Sequence, residues 1–173
     1  MSVDWTSFIN TQNLSVVNDG SLMAPLSHLA ILTVSGKDAA TFLQGQTTCN
    51  INNLEESSPQ IGAYCNAKGR TISSFIIIKK SDNVFQLILS ADLISTVQKK
   101  LQMYILRADV TLLDQSKSLC ILGLYNYPTD SQENIYVYPN DKNRCLFIAE
   151  AATCKQFFTE LIQDKMVQLI SFN

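Results

Sequence analysis

The sequence predicts an α+β fold with mixed or antiparallel sheets and flanking helices. Three observations carry that expectation. Runs rich in β-branched residues recur along the chain, amphipathic helix patterns fall between some of them, and residues 62–80 (GAYCNAKGRTISSFIIIKK) turn back on themselves. In that last stretch a mixed segment enters the turn Asn66-Ala67-Lys68-Gly69-Arg70, and Ile72, Phe75, Ile76, Ile77 and Ile78 leave it as a strand. Gly69 permits the backbone angle that the turn demands. The expected product is a hairpin with two cations, Lys68 and Arg70, at its tip, the first candidate for a ligand site.

Composition excludes several classes. At 173 residues, 46% hydrophobic and 16% charged, the chain is globular and long enough for one domain or two small ones. A net charge of -2 argues against strong nonspecific nucleic-acid binding, which needs dense positive charge. No apolar run reaches membrane-span length, and the first residues lack the basic-then-apolar order of a signal peptide. The five cysteines, none in a C-x-x-C pair, are therefore expected to be reduced thiols in a cytoplasmic protein. A single histidine and no close ligand pairs speak against structural zinc.

Residues 1–18 are polar with apolar anchors (Trp5, Phe8, Leu14, Val16, Val17), fitting a helix or a docking arm. Asp19-Gly20 marks a turn, and Pro25 precedes a short segment holding His28. Residues 29–34 form the first strand. Ser35 and Asp38 have capping-box spacing, predicting a helix over 37–45 that buries Ala39, Phe42 and Leu43. The polar segment 43–50 carries amides and hydroxyls suited to hydrogen bonding, and 52–59 is loop. Strand 84–89 follows the hairpin. Leu93, Val97 and Leu101 then mark an amphipathic helix over 91–104. Residues 110–113, 119–124 and 145–148 read as strands, and 126–143 as loop with one edge strand. A helix over 151–164 buries Phe157, Phe158, Leu161 and Ile162, and a further apolar segment starts at 166. The 173 residues form one continuous core or two lobes, about 1–115 and 116–173.

Candidate chemistry is sparse. His28 has no cysteine or acid beside it to complete a catalytic set, so a structural role is favoured. Cys120 and Cys145 lie in apolar strands as core residues. Cys49 and Cys65 lie in polar, turn-forming stretches, and Cys65 has Lys68 and Arg70 close in sequence, cations of the kind that favour a thiolate, although a lone cysteine near a turn is more often inert than reactive. Lys68 and Arg70 either solubilise a hairpin tip or recognise an anion, where arginine can hold a carboxylate with two parallel bonds. Glu55-Glu56 reads as solvated charge, and phosphate-loop and dinucleotide fingerprints are absent.

Two stretches together carry a family resemblance. LQGQTTCNI (residues 43–51) and GAYCNAKGRTISSFII (residues 62–77) resemble, in order and spacing, the L-Q-G-Q-x-T and C-[DN]-A-K-G-[KR] blocks of the folate-binding YgfZ family, relatives of the aminomethyltransferases. LQMYILRADVTLLD (residues 101–114) and CILGLY (residues 120–125) resemble later segments of that family. The resemblance implies a fold like the aminomethyltransferase folate-binding domain and tetrahydrofolate as cofactor. It also implies a supporting role toward iron–sulfur tRNA-modifying enzymes as partners. On that reading Gln44, Gln46, Thr47, Cys65, Asn66, Lys68, Gly69 and Arg70 contact the folate, with the cations meeting its carboxylates. Where aminomethyltransferases carry paired aspartates, Ser73 and Ser74 stand here, which makes aminomethyl transfer unfavourable. The family's later K-G-C-x-x-G-Q-E block has no counterpart, so the chain is expected to be an N-terminal half, a half-length variant or a domain needing another chain. An apolar surface left by a missing half would favour a homodimer. A folate-dependent one-carbon transferase and a ligand-free interaction module are the competing readings.

Overall fold

The computed structural model describes residues 5–10, 20–56, 58–128, 133–163 and 168–170. The chain divides into two compact units, one of His28–Ser116 and one of Met1–Ser27 with Lys117–Asn173. The first of these is continuous in sequence, whereas the second joins the two ends of the chain. The short strand β1 (Leu22–Pro25) pairs antiparallel with the later strand β7 (Leu119–Tyr125), placing Leu22 opposite Tyr125 and Pro25 opposite Leu122. Backbone pairing thus carries the first segment into the second unit. Sequence patterning alone missed β1, because four residues ending in proline carry little strand signal.

The unit of His28–Ser116 is built on a five-stranded antiparallel sheet in the order β3-β4-β5-β2-β6. Its strands are β2 (Leu29–Ser35), β3 (Gln60–Cys65), β4 (Thr71–Ser81), β5 (Val84–Ser90) and β6 (Thr111–Asp114). In β2, β4 and β5 the alternating residues Ala30, Leu32, Val34, Phe75, Ile77, Phe85, Leu87 and Leu89 belong to one core. Helix α2 (Ala39–Gln46) adds Ala39, Phe42 and Leu43 to it, and helix α3 (Ile94–Gln102) adds Ile94, Val97 and Leu101. The three- and four-residue spacing of those last positions places them on one helical stripe.

The expected capping box before α2 does not form. Ser35 remains in β2, and the cap position is Asp38, which makes no side-chain cap bond. Its carboxylate instead accepts a hydrogen bond from the Asp109 amide at 2.8 Å. A long-range backbone donor has won over the local one. Gly36, at φ 129°, turns the chain so tightly there that a Cβ would overlap the Asp109 carbonyl oxygen. The helix expected over 91–104 is also subdivided. A 3-10 turn, Ala91–Leu93, leads into α3, and Met103 and Tyr104 lie in the turn after it.

The second unit holds the sheet β10-β1-β7-β9-β8, with β8 (Ile135–Tyr138), β9 (Asp141–Glu150) and β10 (Gln168–Leu169). All its pairings are antiparallel except β1 with β10. The single edge strand expected within 126–143 is β8, at the sheet's end. β9 begins earlier than the apolar run 145–148 predicted, because backbone pairing continues through its polar residues Asp141 to Arg144. Helix α4 (Ala151–Gln163) buries Cys154, Phe158 and Leu161 beneath it. Trp5 and Phe8 of helix α1 (Trp5–Asn10) stand 6.4 and 5.4 Å from Phe158, ring centre to ring centre, both edge-on. Of the two N-terminal readings, the structure thus has a helix. Leu14, Val16 and Val17, and most of the apolar segment after 166, lie outside the described residues.

Candidate functional site

The two sequence blocks meet at the outer edge of β3. Thr47 forms an antiparallel bridge with Tyr64. The Thr48 amide donates to the Ala63 carbonyl at 3.0 Å, and Thr48 Oγ1 accepts the Ala63 amide at 2.9 Å. The first block thus acts as a short surrogate strand that satisfies an edge which would otherwise offer unpaired backbone groups. Beneath this seam, Cys49 packs in the core, and burial pushes its thiol up from the ordinary range. The segment is polar and turn-forming, as expected, but this side chain is buried.

The other end of the hairpin is a compact turn. Asn66 Oδ1 accepts hydrogen bonds from the Lys68 amide at 2.9 Å and the Arg70 amide at 3.0 Å. The Asn66 amide donates to the Arg70 carbonyl and the Gly69 amide to the Asn66 carbonyl, both at 2.9 Å. Gly69 occupies φ 74°, the left-handed geometry favoured by glycine. Lys68 and Arg70 are exposed there, and among the described residues neither pairs with a carboxylate.

Between the turn, the end of α2 and the end of α3 lies an open cleft of about 350 Å³. Gly45 and Gln46 reach it from α2, Cys65, Asn66 and Ala67 from the hairpin, and Lys100, Met103 and Tyr104 from the α3 end. Tyr64 and Ile72 complete its lining. Its volume falls within the range of small-molecule sites, about 300–1,000 Å³. Burial, followed by the neighbouring Tyr104 phenol, raises Tyr64 above the usual tyrosine range, so this ring is neutral at physiological pH. Lys100 sits in the last turn of α3, where the helix dipole favours a cation.

Of the eight residues expected to contact folate, Gln46, Cys65 and Asn66 line this cleft. Gln44, Thr47, Lys68, Gly69 and Arg70 do not. Gln44 Oε1 accepts the Ile51 amide at 2.8 Å, and Thr47 Oγ1 donates to the Leu43 carbonyl at 2.9 Å. Both bonds are local and structural. Gln44→Ala should cost about 1 kcal/mol, the net worth of one ordinary hydrogen bond. Urea unfolding should show the lower midpoint, while any ligand held in the cleft keeps its affinity.

The sequence reading missed Tyr64, Lys100, Met103 and Tyr104 as lining residues. A signal was present. Lys100 and Tyr104 stand at i and i+4, and the Tyr104 amide donates to the Leu101 carbonyl, so the turn continues the same side of α3. Ser73 is buried with its hydroxyl donated to the Ser74 carbonyl at 2.9 Å, and Ser74 is exposed. No group of three or more potential metal ligands occurs among the described residues. No helix among them is long and apolar enough to cross a membrane.

The GCVT N-terminal domain matches residues 3–125, and the chain belongs to that family. The tRNA-modifying protein YgfZ of Colwellia psychrerythraea is 41% identical over 56 residues, 32% of this chain and 17% of that protein. The aminomethyltransferase of Shouchella clausii is 28% identical over 118 residues, 68% of this chain and 32% of that enzyme. The YgfZ protein of Aliivibrio fischeri is 27% identical over 125 residues, 66% of this chain and 38% of its own length. The chain therefore spans well under half of these relatives. In fold it matches the glycine cleavage system aminomethyltransferase T from Bartonella henselae with a TM-score of 0.75 at 13% identity. That match covers 87% of this chain and 48% of the enzyme.

Proposed function

We propose that the chain is a tetrahydrofolate-binding domain of the YgfZ type, holding its ligand in the cleft beside the Asn66–Arg70 turn. Membership of the GCVT N-terminal domain family carries this reading, and the cleft's chemistry supports it. Tyr64 and Tyr104 offer ring surfaces for a flat heterocycle. The Gln46 and Asn66 amides offer donors for its polar edge, and Lys100 offers a cation for the carboxylate tail. Lys68 and Arg70 lie outside the lining and attract the anion at longer range, where salt screens them.

The proposed role is support of iron–sulfur or tRNA-modifying enzymes in the cytoplasm rather than aminomethyl transfer. At the positions where paired carboxylates are expected of a transferase there are two hydroxyls, one of them buried and bonded to backbone. A hydroxyl cannot supply a negative charge to a cationic reacting centre.

Calorimetric titration of the reduced chain with tetrahydrofolate tests the reading, and saturable binding is expected. Lys100→Ala combined with Tyr104→Ala should weaken it about tenfold or more, equivalent to about 1.4 kcal/mol. Lys68→Ala with Arg70→Ala should weaken it less, by an amount that shrinks with added salt. A folded chain that binds no folate would overturn the function. Binding that ignores the Lys100 and Tyr104 changes would remove the cleft as its location.

A further inference from the structure

The folate reading leaves unused a pair of thiols in the other unit. Cys120 lies in β7 directly opposite Ala149 of β9. One residue after β9 ends, α4 begins, and its first turn brings Cys154 back over that strand pair. Cys154 Sγ lies 3.4 Å from the Ala149 carbonyl oxygen and 3.7 Å from the Cys120 carbonyl oxygen. Cys154 belongs to the core of this unit and Cys120 packs against that same core, so the two side chains lie on one face of the sheet. Cys154 is completely buried, whereas Cys120 is partly exposed. All five cysteines are free.

We propose that Cys120 and Cys154 form an oxidisable dithiol, in which peroxide attacks at Cys120 and Cys154 resolves the product into a disulfide. The assignment of roles follows from access and from the position of Cys154 Sγ beside the Cys120 backbone. The neighbouring Cys154 thiol holds Cys120 below the ordinary thiol range although burial opposes it. The neighbouring Cys120 thiol, followed by burial, pushes Cys154 above the ordinary thiol range.

The chemistry balances with hydrogen peroxide as the only added reagent. The Cys120 thiolate attacks one peroxide oxygen, the O–O bond breaks, and hydroxide leaves, taking a proton to become water. Cys120 is then a sulfenic acid. The Cys154 sulfur attacks the Cys120 sulfur, its proton passes to the departing hydroxyl, and a second water leaves. Two thiols have been oxidised and one peroxide reduced to two waters. The resulting bond ties the start of α4 to β7.

The test uses the whole reduced chain, freed of reductant and exposed to hydrogen peroxide while folded. Intact mass should fall by two hydrogens, with two of five thiols lost and both recovered with dithiothreitol. Trypsin leaves Cys145 and Cys154 on one peptide, since cleavage follows Arg144 and Lys155. Fragment ions between Ala149 and Thr153 must therefore assign the bridge to Cys154. In Cys154→Ala, Cys120 should stall as a sulfenic acid trapped by dimedone, and circular dichroism verifies its fold. The wild-type bridge is decisive even if that variant does not fold. A bridge through Cys145 or Cys65, oxidation of Cys120 to a sulfinic acid without a bridge, or no reaction at Cys120 would each overturn the proposal.

Discussion

Gly62→Ala is expected to destabilise the chain by about 3 kcal/mol, the upper range for overfilling a packed core. A Cβ at this position would overlap Cys49 Sγ and stand 2.8 Å from Cε2 of Phe75. Both neighbours are buried, at 6% and 3% exposure, so neither can swing into solvent to make room. The glycine is the point where the first sequence block rests on the second. Forcing them apart should also strain the paired backbone of Thr48 and Ala63. Urea unfolding should show a lower midpoint at unchanged slope. Gly45→Ala is the control of opposite sign. Nothing lies within 4 Å of its added methyl, and alanine in a helix gains about 0.5–1 kcal/mol over glycine. Equal effects at the two glycines would refute the packing argument.

Phe158→Ala should cost about 3–5 kcal/mol, the usual penalty for emptying a core aromatic site. Its ring is 1% exposed within the core of the second unit and meets both Trp5 and Phe8 edge-on. Truncation removes apolar burial, leaves a cavity and takes away the surface on which those aromatics rest. Phe158→Leu should recover part of the loss by refilling volume. The Trp5 fluorescence reports the change directly, as this is the chain's single tryptophan. An alanine variant within about 1 kcal/mol of the parent would show that the site collapses without a cavity.

The candidate site was partly legible in the sequence. Asn66 and Gly69 announced a turn through side-chain chemistry and conformational freedom, and the turn forms around them. Cys65, Asn66 and Gln46 were singled out and line one cleft. Gln44 and Thr47 were equally polar, yet their side chains satisfy the backbone around the end of α2. A hydrogen-bonding residue in a polar stretch does not reveal whether its partner is a ligand or its own chain. Cys49 shows the same limit, since its flanking residues are polar and its own environment is core.

Period and propensity determined most of the secondary structure by themselves. Alternating branched residues made β2, β4 and β5, and an apolar stripe at helical spacing made α3, because those patterns express the geometry of a single element. Tertiary structure alone decided that residues 22–25 pair with β7 and that Asp38 answers Asp109 instead of capping its helix. It also decided that Lys100 and Tyr104 face the Asn66 turn across a cleft. Each of these joins residues distant in the chain, and local pattern carries no record of which distant partner wins.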